Sequence, residues 1–388
     1  MALVFEVKDG DPAGPALHAL IIGVGAYPHL KDGSGTPLPD LGRFGAPGQL
    51  TSPPRSALAW TDALIAARDE WLAPLGTVDL LVSSPPKPAD DGGDDHEPAT
   101  RDAIQSAFGR WWKRCDRHAD NIALFVFCGH GLQAESQVLL AADFGHDEHS
   151  PWMKAFDFDR TRLAFMANHA RTQLFVVDAC REVTLANLET PVPYAPPLRE
   201  PGKRDPLRCE FDFTARATSR KRSAYGKPNE PSYFTKALLR GLDGGAASRI
   251  RREWLVTTGD LAGHLDALMA MVDAPVGQQP QVTTTRSARI RRTPAPLAHL
   301  RVDCKPSRAT GQADFSWHHD SLPARSRPVR SGEAWTVPDI PVGASTVAAS
   351  FPELDYHDVK QKFIVFPPIY EDYVEVSART QVHEIERP

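Results

Sequence analysis

Four segments of the chain are almost continuously apolar: "ALHALIIGVGAY" (16–27), "VDLLVS" (78–83), "NIALFVFCGHG" (121–131) and "TQLFVVDAC" (172–180). A strand with one wet face alternates apolar and polar residues, so unbroken runs fit strands covered on both faces. Between them the period changes to three and four. "SALAWTDALIAARDEWL" (56–72), "TRDAIQSAFGRWWKRC" (100–115) and "DRTRLAFMANHA" (159–170) each carry one apolar stripe, as amphipathic helices do. Thr100 is placed to cap the second of them. Strands alternating with helices predict a mostly parallel α/β sheet covered by helices on both faces. The ligand site of such a sheet lies at the carboxyl ends of its strands.

Beyond residue 180 the texture changes. Residues 184–210 are rich in proline and charge and read as a long exposed loop. "EFDFTARATS" (210–219) reads as a further strand, and "QPQVTTTRSARI" (279–290) as one that closes the sheet. "PSYFTKALLRGL" (231–242) and "TTGDLAGHLDALMAMV" (257–272) read as helices, with Ser232 and Thr258 as their candidate caps. From about 295 short, partly alternating strands punctuated by Pro and Gly predict a small all-β, sandwich-like unit. The expected division is an α/β domain over 1–294 and a β-rich C-terminal domain over 295–388, joined through "RRTPAPLA" (291–298).

Composition narrows the function classes. A chain of 388 residues with 41% hydrophobic and 24% charged residues is ordinary for a globular protein. A net charge of −5 supplies no reason to expect nucleic acid or an anionic membrane as partner. No signal peptide and no apolar run of membrane-spanning length stand out, so a cytoplasmic protein is expected. Five scattered cysteines (115, 128, 180, 209, 304) form neither a disulfide framework nor a zinc motif. The acidic loop "ADDGGDDHEP" (89–98) carries five carboxylates, but their spacing is not that of a calcium-binding EF-hand, so a solvated loop is the better reading. No cofactor is expected, and no clear motif supports activation by Ca²⁺.

Two strand ends carry chemistry. One finishes as Cys128-Gly129-His130-Gly131 and the other as Asp178-Ala179-Cys180-Arg181, with His130 and Cys180 fifty residues apart. Each alone has an ordinary structural explanation, since buried cysteines pack as small hydrophobes and glycines flank turns. Together, on one edge of a parallel sheet, they place an imidazole across a cleft from a thiol. The imidazole can draw the thiol toward thiolate and then protonate a leaving amine. The N–H groups of Gly131 and Cys180 could bind the developing oxyanion. Cys128 sits within an apolar strand and reads as core.

These motifs resemble a known family. "LFVFCGHG" and "LFVVDACRE" are similar to the His-Gly and Cys motifs of the caspase-like cysteine peptidases, which include metacaspases and bacterial caspase homologues. "ALIIGVGAY" is similar to that fold's first strand. The resemblance spans roughly residues 15–290 and leaves out the β-rich tail. It implies a caspase-haemoglobinase-type sheet with His130 as catalytic histidine, Cys180 as nucleophile and Gly131 in the oxyanion hole. Asp178 takes the family position that lines the pocket for the side chain preceding the scissile bond. Aspartate-cutting caspases have Gln there, and a carboxylate suits Arg or Lys instead. Arg is favoured, because its planar fork pairs with one carboxylate bidentately. Where metacaspase-like relatives carry a second pocket acid, "PPRSALAW" has Ser56, so the pocket has one acid or borrows Asp32 or Asp40.

The family also implies a regulated protease that acts on protein substrates in defence or cell-death signalling, together with an activating protease or regulatory protein. Cleavage of its own loops is a further expectation, with Arg199, Arg204, Arg208 and Arg222 as candidate sites, each followed by a residue other than proline. A solvated basic loop is the rival reading there. The alternative for the whole domain is a catalytically silent protein-interaction module, which would normally have lost the Cys or the His.

Overall fold

The computed structural model describes residues 2–7, 14–36, 38, 47–85, 96–133, 135–181, 194–202, 207–219, 224–294, 296–353 and 355–379. In chain order come β1 (Leu3–Glu6), β2 (Leu17–Val24), α1 (Ser52–Ala66), β3 (Leu75–Ser83), α2 (Arg101–Cys115) and β4 (Ile122–Gly129). Three short strands, β5 (Gly131–Gln133), β6 (Gln137–Leu140) and β7 (Ala155–Asp157), precede α3 (Phe158–Phe165) and β8 (Thr172–Ala179). Then follow β9 (Phe211–Arg216), α4 (Tyr233–Arg240), β10 (Ala247–Ile250), β11 (Glu253–Thr257), α5 (Thr258–Met271), β12 (Gln281–Thr284) and β13 (Arg289–Arg292). The chain divides into two compact units, Met1–Leu242 with Leu255–Arg292, and Asp243–Trp254 with Thr293–Pro388.

The first unit is organised by a seven-stranded sheet in the order β1-β3-β2-β4-β8-β9-β12. Its five central strands are parallel, and the edge strands β1 and β12 are antiparallel to their neighbours. Every residue of β2, β3 and β4 is buried, which explains their unbroken apolar runs. On one face Trp111 of α2 stacks on Phe165 of α3 at 4.3 Å, and Phe165 meets Phe175 of β8 edge-on. On the other, Trp60 of α1, Leu124, Leu174, Val176 and Leu238 of α4 surround a small apolar space. Alternate residues of β4 and β8 therefore serve opposite helix layers.

β4 and β8 pair in parallel from Ile122↔Thr172 to Gly129↔Ala179 at a constant offset of fifty residues, without a bulge. The next residues along the two strands are His130 and Cys180.

The second unit holds two sheets, β17-β14-β20 and β16-β15-β18-β19. Their strands are β14 (Leu297–Lys305), β15 (Asp314–His319), β16 (Leu322–Ser326), β17 (Trp335–Pro341), β18 (Gly343–Ser350), β19 (Val359–Val365) and β20 (Ile369–Glu375). Burial alternates along β14, and Leu300 and Val302 share one core with Trp317, Val347 and Phe363 of the other sheet. That is sandwich packing, with all pairings antiparallel except β14 with β20.

Several local readings shift. The apolar pattern does not single out β1, a four-residue edge strand, or the small β5-β6-β7 sheet. α1 starts at Ser52 with Pro53 and Pro54 in its first turn, so Ser56 lies one turn into the helix. α2 is capped by Thr100, and Ser232 caps α4. The cap of α5 is Thr257, whose hydroxyl accepts from the Asp260 N–H, and Thr258 is the first helical residue. Within the stretch read as an exposed loop, Ala195 and Leu198 are buried. Arg101 and Gln105 of α2 donate to the carbonyls of Pro197 and Leu198 there.

Burial sets one pH dependence. His18 of β2 faces Thr77 of β3 (Nδ1 to Oγ1, 2.9 Å). Burial, aided by the positive charges of Arg114 and Arg117, lowers its pKa from 6.5 to about 4. The folded chain keeps this ring neutral where the unfolded chain protonates it. Stability from this group is therefore full above 6.5 and falls as the pH drops toward 4. The shift corresponds to about 3 kcal/mol. Denaturant titrations at pH 7 and pH 4.5 should show a smaller acid loss in His18→Gln than in the parent; equal losses would remove His18 as the cause.

Candidate active site

His130 and Cys180 leave the sheet side by side because β4 and β8 end in register. Adjacent strands run about 4.8 Å apart, so the two residues start as neighbours at the carboxyl edge. Both are half-buried.

Three contacts hold the histidine. Its backbone N–H donates to the Tyr27 hydroxyl at 2.8 Å. Its ring packs against the Tyr27 ring, with centroids 4.8 Å apart. Its Nε2 lies 2.8 Å from the Gly48 carbonyl oxygen. A carbonyl only accepts, so this contact commits the ring proton to Nε2 and leaves the Nδ1 lone pair available as a base. Burial lowers the His130 pKa, opposed by the Gly48 contact.

Gly48 is positioned in turn by Gln49. The Gln49 amide accepts from the Tyr27 N–H at 2.8 Å and donates to the carbonyls of Tyr27 and Lys31 at 3.0 Å each. Tyr27 thus braces both the histidine and the loop that orients it.

The Cys180 sulfur accepts from the Ala224 N–H at 3.3 Å and lies 3.9 Å from the Ala224 carbonyl oxygen. Burial raises the other four thiols, Cys209 to about 12, Cys304 to about 11, and Cys115 and Cys128 well above their ordinary value. None of those four is poised as a thiolate.

Gly131 is glycine for want of room. A Cβ there would stand 2.9 Å from the Cys180 carbonyl oxygen and 3.0 Å from the Ala179 Cβ. The Leu140 N–H donates to the His130 carbonyl, and Gly131 pairs with Leu139. In an antiparallel ladder the bonded pairs alternate, so the Gly131 N–H points away from β6.

Asp178 points to the layer of α1 and α4 and is buried. Its Oδ2 accepts from the hydroxyl of Ser232, the α4 cap, and from Thr235 Oγ1 at 2.7 Å. Ser56 supplies a third hydroxyl. Burial raises the Asp178 pKa against the pull of these donors. Ser56 thus stands beside Asp178. Asp32 is exposed in a turn at φ 60°, and Asp40 lies outside the described residues.

Of the basic loop candidates, Arg199 and Arg208 are exposed, and the Arg199 guanidinium stacks on Trp112 at 4.1 Å. Arg204 and Arg222, like residues 89–95 of the acidic loop, lie outside the described residues. Among the described residues, no three or more His, Cys, Asp or Glu gather as a metal site, and no helix is long and apolar enough to cross a membrane.

Tyr27 could be suspected in the sequence only as the end of an apolar run. Gly48, Gln49 and Ala224 carry no sequence signal, because backbone groups do their work or position it.

The sequence pattern of the caspase domain family (Peptidase_C14) matches residues 92–291. An uncharacterized protein of Sinorhizobium fredii, y4kE, is 31% identical over 179 residues, 44% of this chain and 50% of that one. A protein of a Desulfuromonadales bacterium named as a probable protease is 27% identical over 194 residues, 47% of this chain and 23% of that one. The chain thus spans half or less of the length of these relatives. Caspase-1 of Spodoptera frugiperda aligns in structure over 72% of this chain and 95% of its own, at 13% identity and a TM-score of 0.37.

Tyr27→Phe removes the acceptor of the His130 N–H. An unsatisfied N–H in this half-buried position costs about 1–3 kcal/mol. Denaturant unfolding should register that loss, and the His130 ring resonances should shift; an unchanged midpoint and spectrum would show that the hydroxyl holds nothing.

Proposed function

Because the chain belongs to the caspase domain family, we propose that it is a cysteine endopeptidase with Cys180 as nucleophile and His130 as its general base and acid. The observation that carries this reading is the in-register ending of β4 and β8, with the His130 ring proton committed to Gly48. Nδ1 takes the thiol proton, and the sulfur attacks the substrate carbonyl. The oxyanion is met by the N–H groups of Gly131 and Cys180. His130 then passes the proton to the leaving amine, and a thioester remains. Water, deprotonated by the same imidazole, releases the acid and restores the thiol. Both Cys180 and His130 are present, which speaks against a silent interaction module.

The proposed preference is for a basic residue before the scissile bond, Arg over Lys. Asp178 supports it as a buried carboxylate two residues before the thiol, partnered by hydroxyls. A guanidinium would offset its desolvation as these neutral donors cannot. Residues 1–294 are proposed as the peptidase domain and 295–388 as a domain that recruits a substrate or an activating partner. A regulated role in bacterial defence or cell death is part of the same proposal.

Purified parent, Cys180→Ala and Asp178→Asn should be compared on fluorogenic peptides ending in Arg, Lys or Asp. The parent should cut Arg best, Cys180→Ala should be inactive, and Asp178→Asn, assayed at a temperature where it remains folded, should lose at least about tenfold in kcat/KM on Arg. The acid limb of the parent's kcat/KM should lie below 6.5, since burial keeps His130 in its base form to lower pH. Turnover of the Asp peptide would refute the pocket assignment.

Self-processing after Arg199, Arg204, Arg208 or Arg222 is part of the same proposal. Leu198 donates to Thr161 Oγ1 at 2.9 Å and Arg208 to the Met166 carbonyl at 2.8 Å, so cutting at Arg199 or Arg208 first requires those bonds to break. Mass spectrometry of stored parent protein should find a cut after at least one of these four arginines, absent in Cys180→Ala. The same cuts in that variant would exclude the intramolecular route.

A further inference from the structure

The geometry points to a surface site for a divalent transition-metal ion between His29 and His146, on two loops that lead out of the candidate active site. The first is the turn after β2, which starts at Tyr27. The second follows β6, whose Leu140 bonds to the His130 carbonyl. The two imidazole centroids lie 5.5 Å apart, with the ring planes inclined at 68°. With metal–nitrogen bonds of about 2.0–2.1 Å and a tetrahedral angle, two ligating imidazoles have their centres roughly 5 Å apart.

His29 is already in the ligating tautomer. Its Nδ1 lies 3.0 Å from the Thr36 carbonyl oxygen, which only accepts, so Nδ1 carries the proton and Nε2 keeps its lone pair. A ligating histidine is ordinarily held in this way. The loops are also fixed close together. Gly145, at φ +88°, has no room for a Cβ, which would meet Leu38 Cδ1 at 2.6 Å and His29 Cβ at 3.0 Å. Phe144 and Trp152 anchor the second loop in the core, and Leu38 bonds to the His29 carbonyl. Imidazole nitrogen suits Zn²⁺, Cu²⁺ and Ni²⁺, and with two protein ligands the remaining positions go to water. Exposed Asp147 and Glu148 beside His146 add attraction for a cation. An ion held here clasps the turn that contains Tyr27 to the strand pair that carries Gly131.

The test uses full-length Cys180→Ala protein, so that no thiol competes at the candidate dyad, titrated with Zn²⁺ by calorimetry. His29→Ala and His146→Ala should each weaken one equivalent of binding at least about tenfold, and the double variant should be no weaker than either single. Unchanged binding in either single variant, or losses that add, would overturn the shared site. Because substitutions can disturb a loop, the unsubstituted histidine pair is read directly as well. Cu²⁺ bound to Cys180→Ala should show electron-spin coupling to two imidazole nitrogens, and coupling to one alone would overturn the proposal.

Discussion

The structure depends on the in-register parallel pairing of β4 with β8. Eight residue pairs at one offset, each strand buried on both faces, make slippage costly: a one-residue shift of either strand would turn its own phenylalanine, Phe125 or Phe175, from the layer of α2 and α3 toward the layer of α1 and α4. The same pairing brings an imidazole and a thiol to one edge. Their separation along the chain is the register offset itself, so core packing and the chemistry of the edge are set by one alignment.

Around this edge polar groups are held by other polar groups, as buried polar atoms require. Tyr27 meets the His130 backbone, Gln49 orients Gly48, and the hydroxyls of Ser56, Ser232 and Thr235 meet Asp178. The Asp178 cluster ties the end of β8 to the first turns of α1 and α4. One carboxylate therefore contributes to the fixing of two helices. The second unit is built differently, from alternating strands with one buried face each, and its core is separate.

The central strands were legible because complete burial leaves a continuous apolar run, and the helices because one-sided burial leaves a stripe. β1, the β5-β6-β7 sheet and the start of α1 were not. An edge strand is half-exposed and four residues long, and the other boundaries depend on neighbours that no local pattern records. Within the candidate site, His130, Cys180, Gly131 and Asp178 could be named because each is a distinctive residue type at a strand end.

The sequence by itself determined the order of the central strands and the helices between them, the fifty-residue spacing and the side chains able to react, since these follow from residue type and period. Only the tertiary structure decided which nitrogen of His130 carries the proton, what supports Gly48, and that Ser56 rather than Asp32 stands beside Asp178. Those outcomes rest on backbone carbonyls and on contacts between residues scores of positions apart. A carbonyl is the same in every residue, so only the fold can say which one an imidazole meets.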